Sequence, residues 1–330
     1  MNPLSRTPHL LAALLFGIAA APLLAQPTTS RPATTASAPV TTSPTSQPEA
    51  TTKPDLSPVV APGSVVKRDL PYVPNATDQQ TLDLYAPAAA KAAPVVIFVH
   101  GGEWTKGDKS EVRFKPKFLN EEGLIFVSIN YRLSGKAKHP AQVEDVAAAV
   151  RWVRDHVADY GGDPQKLVLM GHSAGCHLVT LVGLDPRPLA KVRLTAADLK
   201  GVVSWSGGAF DLVEKVKSGG MYADYIRINF GADESTWRDA SPIAHIGESK
   251  PMPPFLFASA EKGNAASQTI SEKMAELIRA AGGTVRTVVL PGKTHSAANH
   301  DVGAPGDTTG QTLVRFVRRV TGAPTPDARP

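Results

Sequence analysis

Apolar runs and glycines alternate along residues 64–321 in a regular order. "SVVKRDLPYV" and "QTLDLYAP" read as two strands joined by a turn around Asn75–Asp78. "PVVIFVHGG" differs, because it is a continuous apolar run closing on glycines. That pattern suits a strand buried on both faces. "GLIFVSINYRL", "KLVLMG", "GVVSWSGG", "PPFLFASAE" and "TVRTVVLPG" extend the series. Between them lie helical spacings. "QVEDVAAAVRWVRDHVADY" puts Val143, Val146, Ala147, Val150, Val153 and Val157 on one face. "SQTISEKMAELIRAAGG" does the same with Ile270, Met274, Leu277 and Ile278, and its glycine pair is placed to cap it. "TGQTLVRFVRRV" predicts a short amphipathic helix near the end of the chain. Such alternation predicts an α/β fold, a mostly parallel sheet flanked by helices. Residues 207–252 break the rhythm and predict an irregular excursion over the sheet.

The first 63 residues have a different character. A leading segment with Arg6 and no acid precedes the short apolar run Leu10–Leu24, and Ala25-Gln26 suits cleavage. This three-part pattern predicts a signal peptide over 1–25 and export to the periplasm or medium. The run is short for a membrane span, so no stable membrane insertion is expected after cleavage. Residues 26–63 are almost wholly Pro, Thr, Ser and Ala, as in "QPTTSRPATTASAPVTTSPTSQPE". Such a segment has too little apolar surface to offset the entropy of ordering it, so a disordered linker is expected. A disordered tail is expected over 322–330, which leaves 64–321 as the catalytic domain.

Composition narrows the function. The chain has 330 residues, 42% hydrophobic and 20% charged, enough for one large domain with tails. A net charge of +5 without a basic run does not suggest nucleic acid. Cys176 is the only cysteine, so an intramolecular disulfide is impossible. The nine histidines are scattered, and no zinc-ligand spacing appears. Neither a metal nor an organic cofactor is expected.

The chemistry concentrates at "KLVLMGHSAGCHL", where a strand ends in Gly171-His172-Ser173-Ala174-Gly175 and a helix follows. This is G-x-S-x-G in the strand–turn–helix context that lifts a serine hydroxyl above the sheet. His100-Gly101-Gly102-Glu103-Trp104 closes an earlier strand. The N–H groups of Gly101 or Gly102, with that of Ala174, are the expected oxyanion donors. His295, a short loop beyond "TVRTVVLPG", is the expected base, with His300 as fallback. His177 and His245 read as structural. The acid should leave the end of "PPFLFASAE", where Glu261 is the first carboxylate; Asp301, Asp211 and Asp233 are substitutes.

Together these residues resemble the α/β-hydrolase superfamily, in its carboxylesterase branch with an H-G-G-x-W oxyanion loop. That branch includes kynurenine-formamidase-like and feruloyl- or acetyl-xylan-esterase-like enzymes. The resemblance rests on "LDLYAP", "HGGEW", "INYRL", "YGGDPQKLVLMGHSAGCHL" and "GKTHSAANHDVG", and spans residues 64–320. It implies Ser173 as nucleophile, His295 as base, Gly101, Gly102 and Ala174 as oxyanion donors, and Trp104 near the acyl pocket. One departure stands out. Many relatives carry His-Gly-x-x-Asp at the acid strand, whereas this chain reads "FASAEKGN", with Gly263 where Asp would align. The resemblance then implies Glu261 as a replacement acid.

The expected activity is serine hydrolysis of a small or polysaccharide-linked acyl ester through an acyl-enzyme. Hydrolysis of an N-formyl amide is the alternative enzyme, and an inactive hydrolase serving as a binding module is the non-enzymatic one.

Overall fold

The structure is a computed structural model and describes residues 55–324 apart from position 264. The expected signal peptide, most of the linker and the last six residues of the tail lie outside the described residues.

Eight strands follow the apolar pattern: β1 (Val65–Pro71), β2 (Thr81–Ala86), β3 (Ala93–Val99), β4 (Ile125–Ile129), β5 (Gly162–His172), β6 (Leu199–Trp205), β7 (Phe255–Ala260) and β8 (Val285–Leu290). They form one sheet in the order β1-β2-β4-β3-β5-β6-β7-β8. β2 runs antiparallel to β1 and β4, and the pairs from β4 through β8 are parallel. The sheet therefore carries an antiparallel edge on an otherwise parallel body. Its outer strand β1 is protected by the charges of Lys67, Arg68 and Asp69 and by a register shift beside them.

The helices are α1 (Lys115–Glu121), α2 (Ala141–His156), α3 (Ala174–Leu184), α4 (Pro186–Lys191), α5 (Leu212–Lys217), α6 (Met221–Phe230), α7 (Glu234–Asp239), α8 (Ala265–Ala280), α9 (His295–His300) and α10 (Gly310–Thr321). The period of two along β3 shows how they divide. Val95, Ile97 and Val99 enter one apolar cluster with α2, α3 and α8. Val96 and Phe98 enter another with Leu119 of α1 and with Leu313, Val314 and Phe316 of α10. A strand with a cluster on each face has no polar side to show, hence its unbroken apolar run. Predicted core positions Val143, Val146, Ala147, Val150, Val153 and Val157 are all buried. Leu277 is a correction, since it turns outward from α8 at 39% exposure.

The excursion over 207–252 resolves into three short helices, α5 to α7, and a 3-10 turn at Pro242–His245. The expected linker boundary at 63 also moves. Residues 56–59 already pair with the body, through Arg113 N–H to the Leu56 carbonyl (3.0 Å), Val59 N–H to the Arg113 carbonyl (2.7 Å) and Lys117 N–H to the Val59 carbonyl (3.0 Å).

Candidate active site

Ser173 stands between the last residue of β5 and the first of α3. Its backbone is left-handed, with φ 53° and ψ −116°, a region that costs an ordinary residue on the order of 1–2 kcal/mol. The flanking glycines make the turn possible. A Cβ on Gly171 would lie 2.2 Å from the Gly175 carbonyl oxygen, and one on Gly175 would lie 2.1 Å from that of Val99. The β3 exit is as close: a Cβ on Gly101 would sit 2.9 Å from the Ser173 Cβ. Ala174 opens α3, where the N–H groups of a first turn have no partner inside the helix.

The loop after Gly101 is held by its own carbonyls. Gly102 accepts from the N–H groups of Thr105 and Lys106, both at 3.0 Å. Glu103 and Trp104 both adopt positive φ, and the Trp104 carbonyl accepts from the Ser134 N–H (2.9 Å) and hydroxyl (3.0 Å). This turn drives the Trp104 ring inward. The indole is fully buried, meets Phe230 and His177 edge-on, and donates to His177 Nδ1 at 3.2 Å. Trp104 is thus a packing anchor for the loop and does not line the cleft beside Ser173, a correction to its expected place in the pocket. A large aromatic ring with a satisfied N–H gains more from the core than from water. His177 is structural, as expected. Its Nε2 donates to the Ala240 carbonyl at 2.6 Å, and burial pushes its pKa down to about 3.

Ser173 and His295 line one cleft of about 250 Å³, together with Gly207, Gly208, Lys215 and Tyr222. No direct hydrogen bond joins the two side chains. His295 is half-buried at the start of α9, and burial lowers its pKa while the Glu103 carboxylate opposes the shift. Three side chains hold this short helix by its carbonyls. His172 Nε2 donates to His295 O (3.1 Å), Trp205 Nε1 to Ala298 O (2.6 Å) and Lys115 Nζ to Asn299 O (2.7 Å).

Glu261 is not brought to the imidazole. Its N–H still bonds to the Leu290 carbonyl (3.3 Å), so the residue stays in the ladder with β8. Its exposed carboxylate accepts from Gly292 N–H at 2.7 Å instead. The substitutes are also engaged: Asp301 by Lys293, and Asp211 and Asp233 as caps of α5 and α7. His300 closes α9 and His245 bonds to Glu248 and the Asp239 carbonyl. The group at His295 Nδ1 is the Ser206 hydroxyl, at 3.0 Å. Sequence reasoning passed over Ser206 because "SWSGG" reads as an ordinary strand exit.

Cys176 lies behind the elbow, where its thiol donates to the Gly171 carbonyl at 3.0 Å and burial pushes its pKa up to about 12. Among the described residues one group has metal-ligand proximity, Asp185, His245 and Glu248, with ligand atoms within 4.8 Å of one another. Its members are already engaged, Asp185 by Arg187 and His245 by Glu248.

The BD-FAE family model matches residues 82–278, from β2 to α8. Esterase LipQ of Mycobacterium tuberculosis is 31% identical over 241 residues, covering 69% of this chain and 56% of that protein. The probable isoprenylcysteine alpha-carbonyl methylesterase ICMEL1 of Arabidopsis thaliana is 29% identical, covering 65% of this chain and 48% of that protein. The chain thus spans about half the length of these curated relatives. Among solved structures, a truncated carbohydrate esterase from gut microbiota superposes with a TM-score of 0.67 at 21% identity, covering 81% of this chain and 99% of that one. The esterase Est2 of Thermogutta terrifontis does so with a TM-score of 0.63 at 24% identity, covering 82% and 97%. These likenesses carry the fold, an α/β-hydrolase sheet with its flanking helices. The match across β2 to α8, over a sheet that turns at Gly171–Gly175 as the motif requires, makes this chain a member of the BD-FAE family of α/β-hydrolases.

Proposed function

We propose that this protein is an exported serine hydrolase that cleaves carboxylic esters through an acyl-enzyme. The observation that carries the reading is Ser173, held in a left-handed turn at the mouth of a cleft it shares with His295. His295 Nε2 takes the Ser173 proton as Oγ attacks the ester carbonyl carbon. The N–H groups of Ala174 and of Gly101 or Gly102 receive the charge on the carbonyl oxygen. The bond to the alcohol oxygen breaks, and the alcohol leaves with the proton from Nε2. Water then attacks the acyl-enzyme by the same route and releases the acid and Ser173. The hydrogen bond from Ser173 Oγ to His295 Nε2 is one that forms in the complex with substrate, as catalytic hydrogen bonds commonly do.

Relatives named as esterases support an ester over a formamide. The substrate class is a small or polysaccharide-linked acyl ester, and the leader over residues 1–25 supports action outside the cytoplasm. Hydrolysis of p-nitrophenyl acetate and butyrate by the purified protein, beside Ser173→Ala, tests the reaction. Release that disappears with Ser173→Ala is expected. Equal release by both proteins would remove the nucleophile assignment, and cleavage of an N-formyl anilide with no ester turnover would replace the ester reading. A mature chain beginning at Gln26, read by mass, is expected in the exported fraction.

A further inference from the structure

The nucleophile and base leave one function unfilled, the group that orients the imidazole. In a serine hydrolase that group holds the proton on Nδ1, so that Nε2 presents a lone pair to the nucleophile. Here the sole side chain hydrogen-bonded to His295 Nδ1 among the described residues is Ser206. We propose that the Ser206 hydroxyl, rather than a carboxylate, positions His295 by accepting a hydrogen bond from Nδ1–H.

Three observations point the same way. Ser206 is fully buried, so its oxygen has little water to turn to. It follows directly on β6, and its N–H bonds to the Ala258 carbonyl of β7 at 2.6 Å, which fixes its backbone to the sheet. Its φ is +60°, a strained setting for a residue with a side chain, and strain of this kind persists where the surroundings impose a particular aim.

The charged and titratable groups around the imidazole are few. His172 meets it from the end of β5, the rings tilted by 35° with centres 4.7 Å apart. Glu103 acts from the loop after β3, its carboxylate paired with Lys106 at 2.8 Å. His300 lies at the far end of α9, and Lys215 and Tyr222 face the cleft from the excursion. None supplies an anion in hydrogen-bond contact with Nδ1. Ser206 therefore sets tautomer and direction, while the imidazolium formed during attack has no contacting counter-charge. The opposite donor direction would put the proton on Nε2, where His295 could not act as base toward Ser173.

The inference rests on the serine-hydrolase reading for its catalytic consequence, so the test has one arm that does not need turnover. In the purified protein with 15N-labelled histidine, the His295 signals are assigned against His295→Gln. Wild-type His295 above its pKa is expected with the proton on Nδ1. Ser206→Ala is expected to move population to the Nε2–H form and to lower kcat roughly 10- to 100-fold with KM little changed. That is a smaller loss than the ~10⁴-fold that follows removal of a charged orienting group. Ser206→Thr, which keeps the oxygen, is expected to recover the tautomer. Ser206→Asp is expected to raise the pH of the acid limb of kcat/KM, because an anion would favour imidazolium. If Ser206→Asp does not fold, the alanine and threonine variants decide. A wild-type Nε2–H tautomer, or a tautomer unmoved by Ser206→Ala, overturns the proposal. An Nδ1–H tautomer that depends on Ser206, in a protein with no serine-dependent turnover, upholds the positioning and removes the hydrolase reading alone.

Discussion

Ser173 and Ser206 both adopt positive φ, and both sit where a parallel strand ends. In the proposed mechanism one aims a hydroxyl at substrate, the other at the base. The pH behaviour of the site belongs to the residue between them. Burial holds the His295 pKa below that of a free imidazole, and no contacting anion lifts it back. Catalysis needs the neutral form. The acid limb of kcat/KM should therefore inflect below ~6.5, the ordinary histidine value. A profile measured from acid to neutral pH checks this, and an inflection above that value would mean that an anion reaches His295 in solution. Ser173 and the glycines were expected from short motifs whose chemistry is local, and His295 from its short loop after β8; the structure sets Ser173 and His295 on one cleft. Ser206 was not, since its role depends on a partner 89 residues away in the chain. The missing His-Gly-x-x-Asp was the available signal. It said that the usual acid was gone, and Glu261 was the nearest replacement by strand position rather than by direction.

The same contrast holds among elements. The inner strands were legible because a strand buried on both faces needs an apolar run, whereas β1 and β8, at the two edges of the sheet, are partly exposed. α2 and α8 have enough turns for a helical period to show, whereas α1, α4 and α9 have fewer than two turns and show none. Yet α9 carries His295, and its stability is borrowed from three side chains on β5, β6 and α1. Lys115 is the most exacting of these. It is fully buried, donates to Asn299 O, and burial pushes its pKa down to about 7. An unfolded lysine titrates near ~10.4, so between the two values the unfolded chain binds the extra proton. Stability should therefore rise as pH climbs from about 7 towards 10. Melting temperatures at pH 7 and 9 should increase more for the wild type than for Lys115→Met, which has no such proton to bind. Parallel slopes for the two proteins would mean that Lys115 is not the source.

For the whole molecule, the expected division at residue 63 came from composition alone, and composition does not see backbone hydrogen bonds. The body begins earlier, at the segment that pairs with Arg113 and Lys117. A chain starting at Ser64 loses three such bonds and uncovers apolar surface near Val60, which packs against the cluster beneath α1 and α10. Each bond contributes on the order of 1 kcal/mol. That chain should melt several degrees below one starting at Asp55, by calorimetry, with kcat unchanged. Equal melting points would place the boundary back at 63.

This junction also decides how the protein would respond to being pulled. A force applied through the N-terminal segment enters the body at Leu56–Val59 and is carried first by the bonds to Arg113 and Lys117, not by the edge strand β1. Those bonds give way one after another as the segment peels. The residues so released extend before any load reaches the sheet. The pairing acts as a mechanical fuse that yields ahead of the strands from which Ser173 and Ser206 project.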